Sequence, residues 1–129
     1  MKITERVQFA TTFAPQQISS AANSAAVELS AGRRACAFVA VGAITPNGTL
    51  TAYLQTGDGT NWTNAKTKML SANEQAALEI AAEELPDGHD RVRISVAPST
   101  GATANVAGVV LVSDLRSEPA IQPNSVKLG

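Results

Sequence analysis

The chain is short of aromatic residues, of charge and of cysteine. Only five of its 129 residues are aromatic: Phe9, Phe13, Phe38, Tyr53 and Trp62. Charged residues make up 16%, ten basic against eleven acidic, for a net charge of −1. That balance argues against a nucleic-acid coat or a polybasic membrane anchor, both of which need excess positive charge. A lone Cys36 excludes an intramolecular disulfide framework. The apolar runs are too short for a transmembrane helix. Met1-Lys2-Ile3-Thr4-Glu5-Arg6 lacks the apolar core of a signal peptide, so the chain is expected to stay in the cytoplasm where it is made. Little charge and many small neutral residues suit either an Ala/Thr-rich β-protein or a surface that other protein covers.

What is present is a run of short Val/Thr/Ala-rich segments divided by regular turn signals: Pro15, Gly32, Pro46-Asn47-Gly48, Gly57-Asp58-Gly59, Pro86-Asp87-Gly88, Pro98 to Gly101, and Pro119. This pattern predicts an all-β single domain, a sandwich or barrel of about eight strands. Residues 6–13 alternate, with Val7, Phe9 and Phe13 on one face, and Val27 and Leu29 share a face. The segment 35–43 (ACAFVAVGA) is apolar at every position and predicts a strand buried on both faces, as does the middle of 104–114. Pro46-Asn47-Gly48-Thr49 predicts a hairpin turn. Beyond it, Leu50, Ala52 and Leu54 point inward, and Trp62, Ala65, Met69 and Leu70 are expected to be buried further on. Residues 71–85 are ambiguous: helix propensity and a Ser71/Glu74 capping box favour a helix, whereas the turn at 86–88 favours a strand from about Ala77. Residues 91–97 (RVRISVA) are the cleanest strand. The expected core is Phe38, Val39, Val41, Leu54, Ile94, Val96, Val110 and Val112. Residues 1–8 and 116–129 are expected to be extended arms.

The chemistry available to such a chain is sparse. His89 lies in a turn and reads as solvated. Asp58-Gly59-Thr60-Asn61 faintly resembles a calcium loop, but Met69 stands where its bidentate Glu would be, and turn chemistry explains the residues better. Cys36 reads as a buried structural thiol with no base nearby in sequence. Glu79, Glu83 and Glu84 read as a solvated edge. No nucleophile elbow or phosphate-binding glycine loop is present, so no catalytic residue, metal or cofactor is expected. Trp62 is expected to cap one end of the core. The alternative, a sugar-stacking platform, would need Trp62 and Tyr53 exposed together.

The order of segments resembles a known group. A strand ending in Val41-Gly42-Ala43 is followed by Thr49-Leu50-Thr51-Ala52-Tyr53-Leu54-Gln55. Then come Gly57-Asp58-Gly59-Thr60-Asn61-Trp62-Thr63, Leu85-Pro86-Asp87-Gly88-His89-Asp90-Arg91-Val92-Arg93-Ile94, and finally Asp114-Leu115-Arg116-Ser117-Glu118-Pro119. This resembles the capsid decoration, or cement, proteins of tailed bacteriophages over about residues 35–119. The aromatic-glycine pair common before their last hairpin is replaced here by Leu85-Pro86-Asp87-Gly88. The resemblance implies a jelly-roll-like β-sandwich without catalytic residues. It implies a place on the outer capsid surface of the virion, with the major capsid protein as partner and a dimer or trimer bridging neighbouring capsomers, and no role for nucleic acid or membrane. The interface residues expected under it are Asn47, Asp58, Trp62, Arg116, Ile121 and Leu128. Two alternatives remain at this level: another phage structural subunit (tail tube or head completion) and a carbohydrate- or receptor-binding module.

Overall fold

The computed structural model describes residues 7–114. They form a sandwich of two antiparallel sheets. Sheet A runs in the order β1 (Val7–Ile18), β9 (Thr103–Asp114), β4 (Arg33–Thr45), β7 (Gln75–Ala81). Sheet B runs β2 (Ala22–Asn23), β8 (Arg91–Pro98), β5 (Leu50–Gly57), β6 (Trp62–Leu70), and β3 (Val27–Glu28) pairs with β8 beyond β2. The expected all-β, jelly-roll-like sandwich is therefore observed, with seven full strands and two two-residue bridges among the described residues. Of the expected arms, Arg116, Ile121 and Leu128 lie outside the described residues. Val7 and Gln8 are not an arm: they pair with Ser113 and Val112 and so open β1.

Alternation places the core between the sheets. In β5, Leu50, Ala52 and Leu54 are fully buried, and in β8 so are Val92, Ile94 and Val96. From sheet A, Ala35, Ala37, Val39 and Val41 of β4 meet them, with Val106, Val110 and Val112 of β9. Burying each of the Val, Leu and Ile side chains among them contributes about 1.5–3 kcal/mol. Seven of the eight expected core residues are buried; Phe38 is not, being 37% exposed. The two strands read as buried on both faces carry only one buried face each. A sandwich sheet has one partner sheet, so half the side chains of β4 and β9 point away from it whatever their polarity.

Other corrections have local causes. The turn after β4 is not a hairpin: β4 lies in sheet A and β5 in sheet B, so Pro46-Asn47-Gly48 carries the chain between sheets. Gly48 has φ 140° and passes so close to the Ser99 hydroxyl that a Cβ would collide with it. There Ser99 N–H donates to the Thr49 carbonyl (2.8 Å). In β6, Leu70 is buried, but Met69 is 63% exposed and Ala65 is exposed, because β6 is an edge of sheet B and only one of its faces meets the core. Residues 75–81 are a strand, followed by a short 3-10 turn, Ala82–Glu84. The capping-box signature is used in a turn instead of a helix: Ser71 N–H donates to the Glu74 carboxylate (2.6 Å), and Asn73 takes φ 64°. Pairing of residues 75–81 with residues 34–40 of β4 outweighs their helix propensity.

Candidate interaction surface

The feature that stands out is the outer face of sheet A. Cross-strand register sets its rows. Phe38 lies between Val109 and Ala77, with Thr12 beyond Val109; Cys36 lies between Leu111 and Glu79; Ala40 lies between Ala107 and Gln75. Phe38 and Ala40 are exposed, and Ala107, Val109 and Leu111 are half-buried. In these rows Glu79 is the only charged group, and it is paired with Arg34 at 3.3 Å. One extra residue in β1, between Phe13 and Gln16, makes a bulge that lifts Pro15 out of the ladder. Beside it the small side chains of Ala40 and Ala107 leave two shallow grooves of about 480 and 520 Å³ that share Pro15, Ala40 and Ala107 and so form one trough. Among the described residues no charged side chain lines either groove. An open, apolar sheet face with so little charge is a candidate surface for contact with another molecule.

Cys36 belongs to this face and not to the core. Burial, then the neighbouring Glu79 carboxylate, pushes its thiol up to about 11. At neutral pH it is therefore almost wholly protonated. Its alkylation at pH 7.5 is expected to run at least about tenfold slower than that of a free cysteine and to accelerate as pH rises toward 11. A rate equal to that of free cysteine would contradict this assignment.

The opposite side, the outer face of sheet B, carries Trp62. Arg93 lies 4.1 Å from the ring centroid, and Gly57 is so close beneath that a Cβ there would sit 2.6 Å from two ring atoms. Trp62 therefore does not cap the core: it is pressed onto β5 and covered by a guanidinium, which stabilises such a pair by about 0.5–1 kcal/mol. Burial pulls the pKa of Arg93 down from its ordinary value. Arg93 donates to Gln55 Oε1, and Gln55 Nε2 donates to Asn64 Oδ1, each at 2.8 Å. Tyr53 shares this outward face, four residues from Gly57 and so roughly 13 Å along β5. The polar groups Arg93, Gln55 and Asn64 beside Trp62 are matched to one another.

Asp58 is explained by its turn. Its carboxylate accepts from the N–H groups of Asn61 (2.7 Å) and Thr60 (2.8 Å), and these bonds hold its pKa below the usual value. Asn47 and Asp58 flank opposite ends of β5, roughly 25 Å apart, so they do not form one patch; Trp62 lies beside Asp58. His89 is not simply solvated: it is half-buried, with Nδ1 2.8 Å from the hydroxyl of fully buried Thr56. The acidic edge is likewise engaged. Glu84 accepts from the Ala81 N–H (2.8 Å), the main cause of its lowered pKa, and pairs with Lys66. Among the described residues no group of three or more His, Cys, Asp or Glu gathers at metal-binding distance. The outer face of sheet A was missed in the sequence because both of its central strands are apolar at nearly every position, leaving no phase to read. The available signal was that two such strands in one small chain exceed what a two-layer core can bury.

No protein-family model matches the chain, and no curated protein matches its sequence. Among solved structures it is similar to a protein of the Bacillus endospore appendages, a family of disulfide-linked pili, at TM-score 0.50 and 16% identity over 82% of this chain and 90% of that one. It also overlaps TmCBM61 in complex with β-1,4-galactotriose (TM-score 0.40, 19% identity, 78% of this chain and 68% of that one). A further overlap is with the CBM22-1–GH10 modules of a Clostridium thermocellum endo-1,4-β-D-xylanase complexed with xylohexaose (TM-score 0.44, 13% identity, 90% and 28%). At 16% identity what is shared with the endospore appendage protein is the fold alone.

Proposed function

We propose that this chain is a non-enzymatic structural protein that binds the outer capsid surface of a tailed phage and bridges neighbouring capsomers. The observation that carries the reading is the open apolar face of sheet A in a charge-poor chain. Covering Phe38, Val109 and Leu111 with another protein releases water from apolar surface, and little charge has to be desolvated. The shell as partner comes from the sequence resemblance; the sheet face supplies a surface suited to it. Each contact is small, but many copies on a lattice bind through avidity. The test is negative-stain microscopy of phage particles treated with a gold-labelled antibody against this chain. Label distributed over the head is the expected result. Label on the tail or at the head–tail junction would overturn it in favour of a tail-tube or head-completion subunit.

A further inference from the structure

We propose that the outer face of sheet B binds a neutral saccharide across the row Asn23, Ser95, Tyr53 and Thr67. The strand register builds the row. Asn23 of β2 stands opposite Ser95 of β8, Ser95 opposite Tyr53 of β5, and Tyr53 opposite Thr67 of β6. Buried Ala52 and Leu54 flank Tyr53, and buried Ile94 and Val96 flank Ser95, so alternation turns both outward. Directly opposed side chains share a face. Four strands about 4.8 Å apart make a row about 14 Å long, room for a short oligosaccharide.

Ser95 is the residue that points to a ligand. It is only 7% exposed, whereas Asn23 and Thr67 at the ends of the row are exposed and Tyr53 is half-buried. The row is therefore recessed at β8. The Ser95 hydroxyl makes no hydrogen bond to a described residue, yet it is not sealed from the surface. A hydroxyl held so nearly out of water without a partner destabilises a fold, and a ligand hydroxyl would satisfy it. The side-chain polar groups of Tyr53, Thr67 and Asn23 are likewise unengaged among the described residues. The adjoining row differs, since Arg93, Gln55 and Asn64 satisfy one another.

The chemistry of the row selects the ligand class. Hydroxyls and a carboxamide both donate and accept, as the hydroxyls of a sugar do. The Tyr53 ring suits the apolar C–H face of a pyranose, and Met69 extends that contact. Met69 is diagonal to Tyr53 on the same face and 63% exposed. No member of the row is charged, and Arg93 beside it is held by Trp62 and Gln55, so an anionic ligand gains no ion pair from the row. A protein partner favours an apolar centre, which the row lacks. Trp62 takes no part, because the Arg93 guanidinium covers it. Sheet B is the opposite layer of the sandwich from sheet A, so the row stays open when sheet A rests on a shell. The inference goes beyond the shell-binding reading and does not depend on it.

The test is an NMR titration of the isotope-labelled full chain that follows its backbone amides. The probes are neutral oligosaccharides of glucose, galactose, mannose and N-acetylglucosamine at up to about 20 mM. At least one is expected to give saturable shifts at Asn23, Tyr53, Thr67 and Ser95, with a Kd of about 1 mM, because one ring and a few polar groups make few contacts. Tyr53→Ala should weaken binding at least about tenfold, and Ser95→Ala at least about threefold. Ser95→Ala leaves the ring in place and decides the question if Tyr53→Ala does not fold. Lys68→Ala, opposite buried Ala52 and so on the other face of β6, should leave binding within about twofold. No saturable shift with any of the four sugars would overturn the proposal. So would shifts confined to sheet A or to the surroundings of Trp62, or tighter binding of an anionic oligogalacturonate than of the neutral sugars. The titration is made on this chain alone, so it stands or falls separately from the location of the antibody on the phage particle.

Discussion

Val110→Asp is expected to abolish folding. Val110 is fully buried in β9, the second strand of sheet A, where it pairs with Ala37 on one side and Thr11 on the other. Among the described residues no charged partner is available there, since the core cluster around it is wholly apolar. A carboxylate in that position loses its hydration with nothing to replace it, and it is a group that burial drives toward the protonated form. The expected loss exceeds about 4 kcal/mol, comparable with the whole stability of a small domain. The sign with pH follows. The introduced carboxyl has a raised pKa in the folded state, so the folded form binds the extra proton. The defect is therefore smallest below the ordinary aspartate range and grows as pH rises through it. Val110→Ala serves as the control, folded and weakened by about 1–3 kcal/mol. Circular dichroism at pH 7 should show no cooperative melt for the aspartate variant and a lowered but cooperative melt for the alanine variant. A midpoint near that of the native chain in the aspartate variant would refute the assignment of β9 to the core.

The second large effect is expected at Gly57. A Cβ there would lie 2.5 Å from the Asn61 carbonyl oxygen and 2.6 Å from Trp62 Cδ2 and Cε3. The carbonyl belongs to the backbone and accepts from the Asp58 N–H at 3.3 Å, so it cannot swing away without opening the turn. The ring cannot move without leaving Arg93. Gly57→Ala is therefore expected to cost about 2–3 kcal/mol, a drop in Tm of roughly 5–15 °C. It should also shift the emission of Trp62 to longer wavelength, and since this is the sole tryptophan the signal reports the site directly. Gly42→Ala is the comparison. Its Cβ would meet Asn105 Cβ at 3.5 Å, an ordinary contact, and the expected change is within about 1 kcal/mol. Equal effects from the two substitutions would show that Gly57 is not a packing constraint.

The candidate surface was legible only in pieces. Trp62 and Asp58 stood out in the sequence as residues near a turn, and both are near it, but the partners that explain them were not readable. Arg93 lies 31 positions from Trp62 in the chain, and His89 lies 33 from Thr56. The open face of sheet A was hidden by composition, because Cys36, Phe38 and Ala40 are apolar like the Ala37, Val39 and Val41 that they alternate with.

By itself the sequence determined the class of fold, the regular turns, and the inward set of β5 and β8. In those strands polar and apolar side chains alternate, and a period of two is a local property that needs no partner to be read. Tertiary structure alone decided the rest. It made residues 75–81 a strand, because the neighbouring edge of β4 supplied hydrogen bonds that propensity does not count. It sent the chain across at Pro46 instead of turning it back, because β5 finds its ladder in the other sheet. It also left one side of β4 and β9 uncovered, because an apolar strand has two equivalent faces until a second sheet packs on one of them.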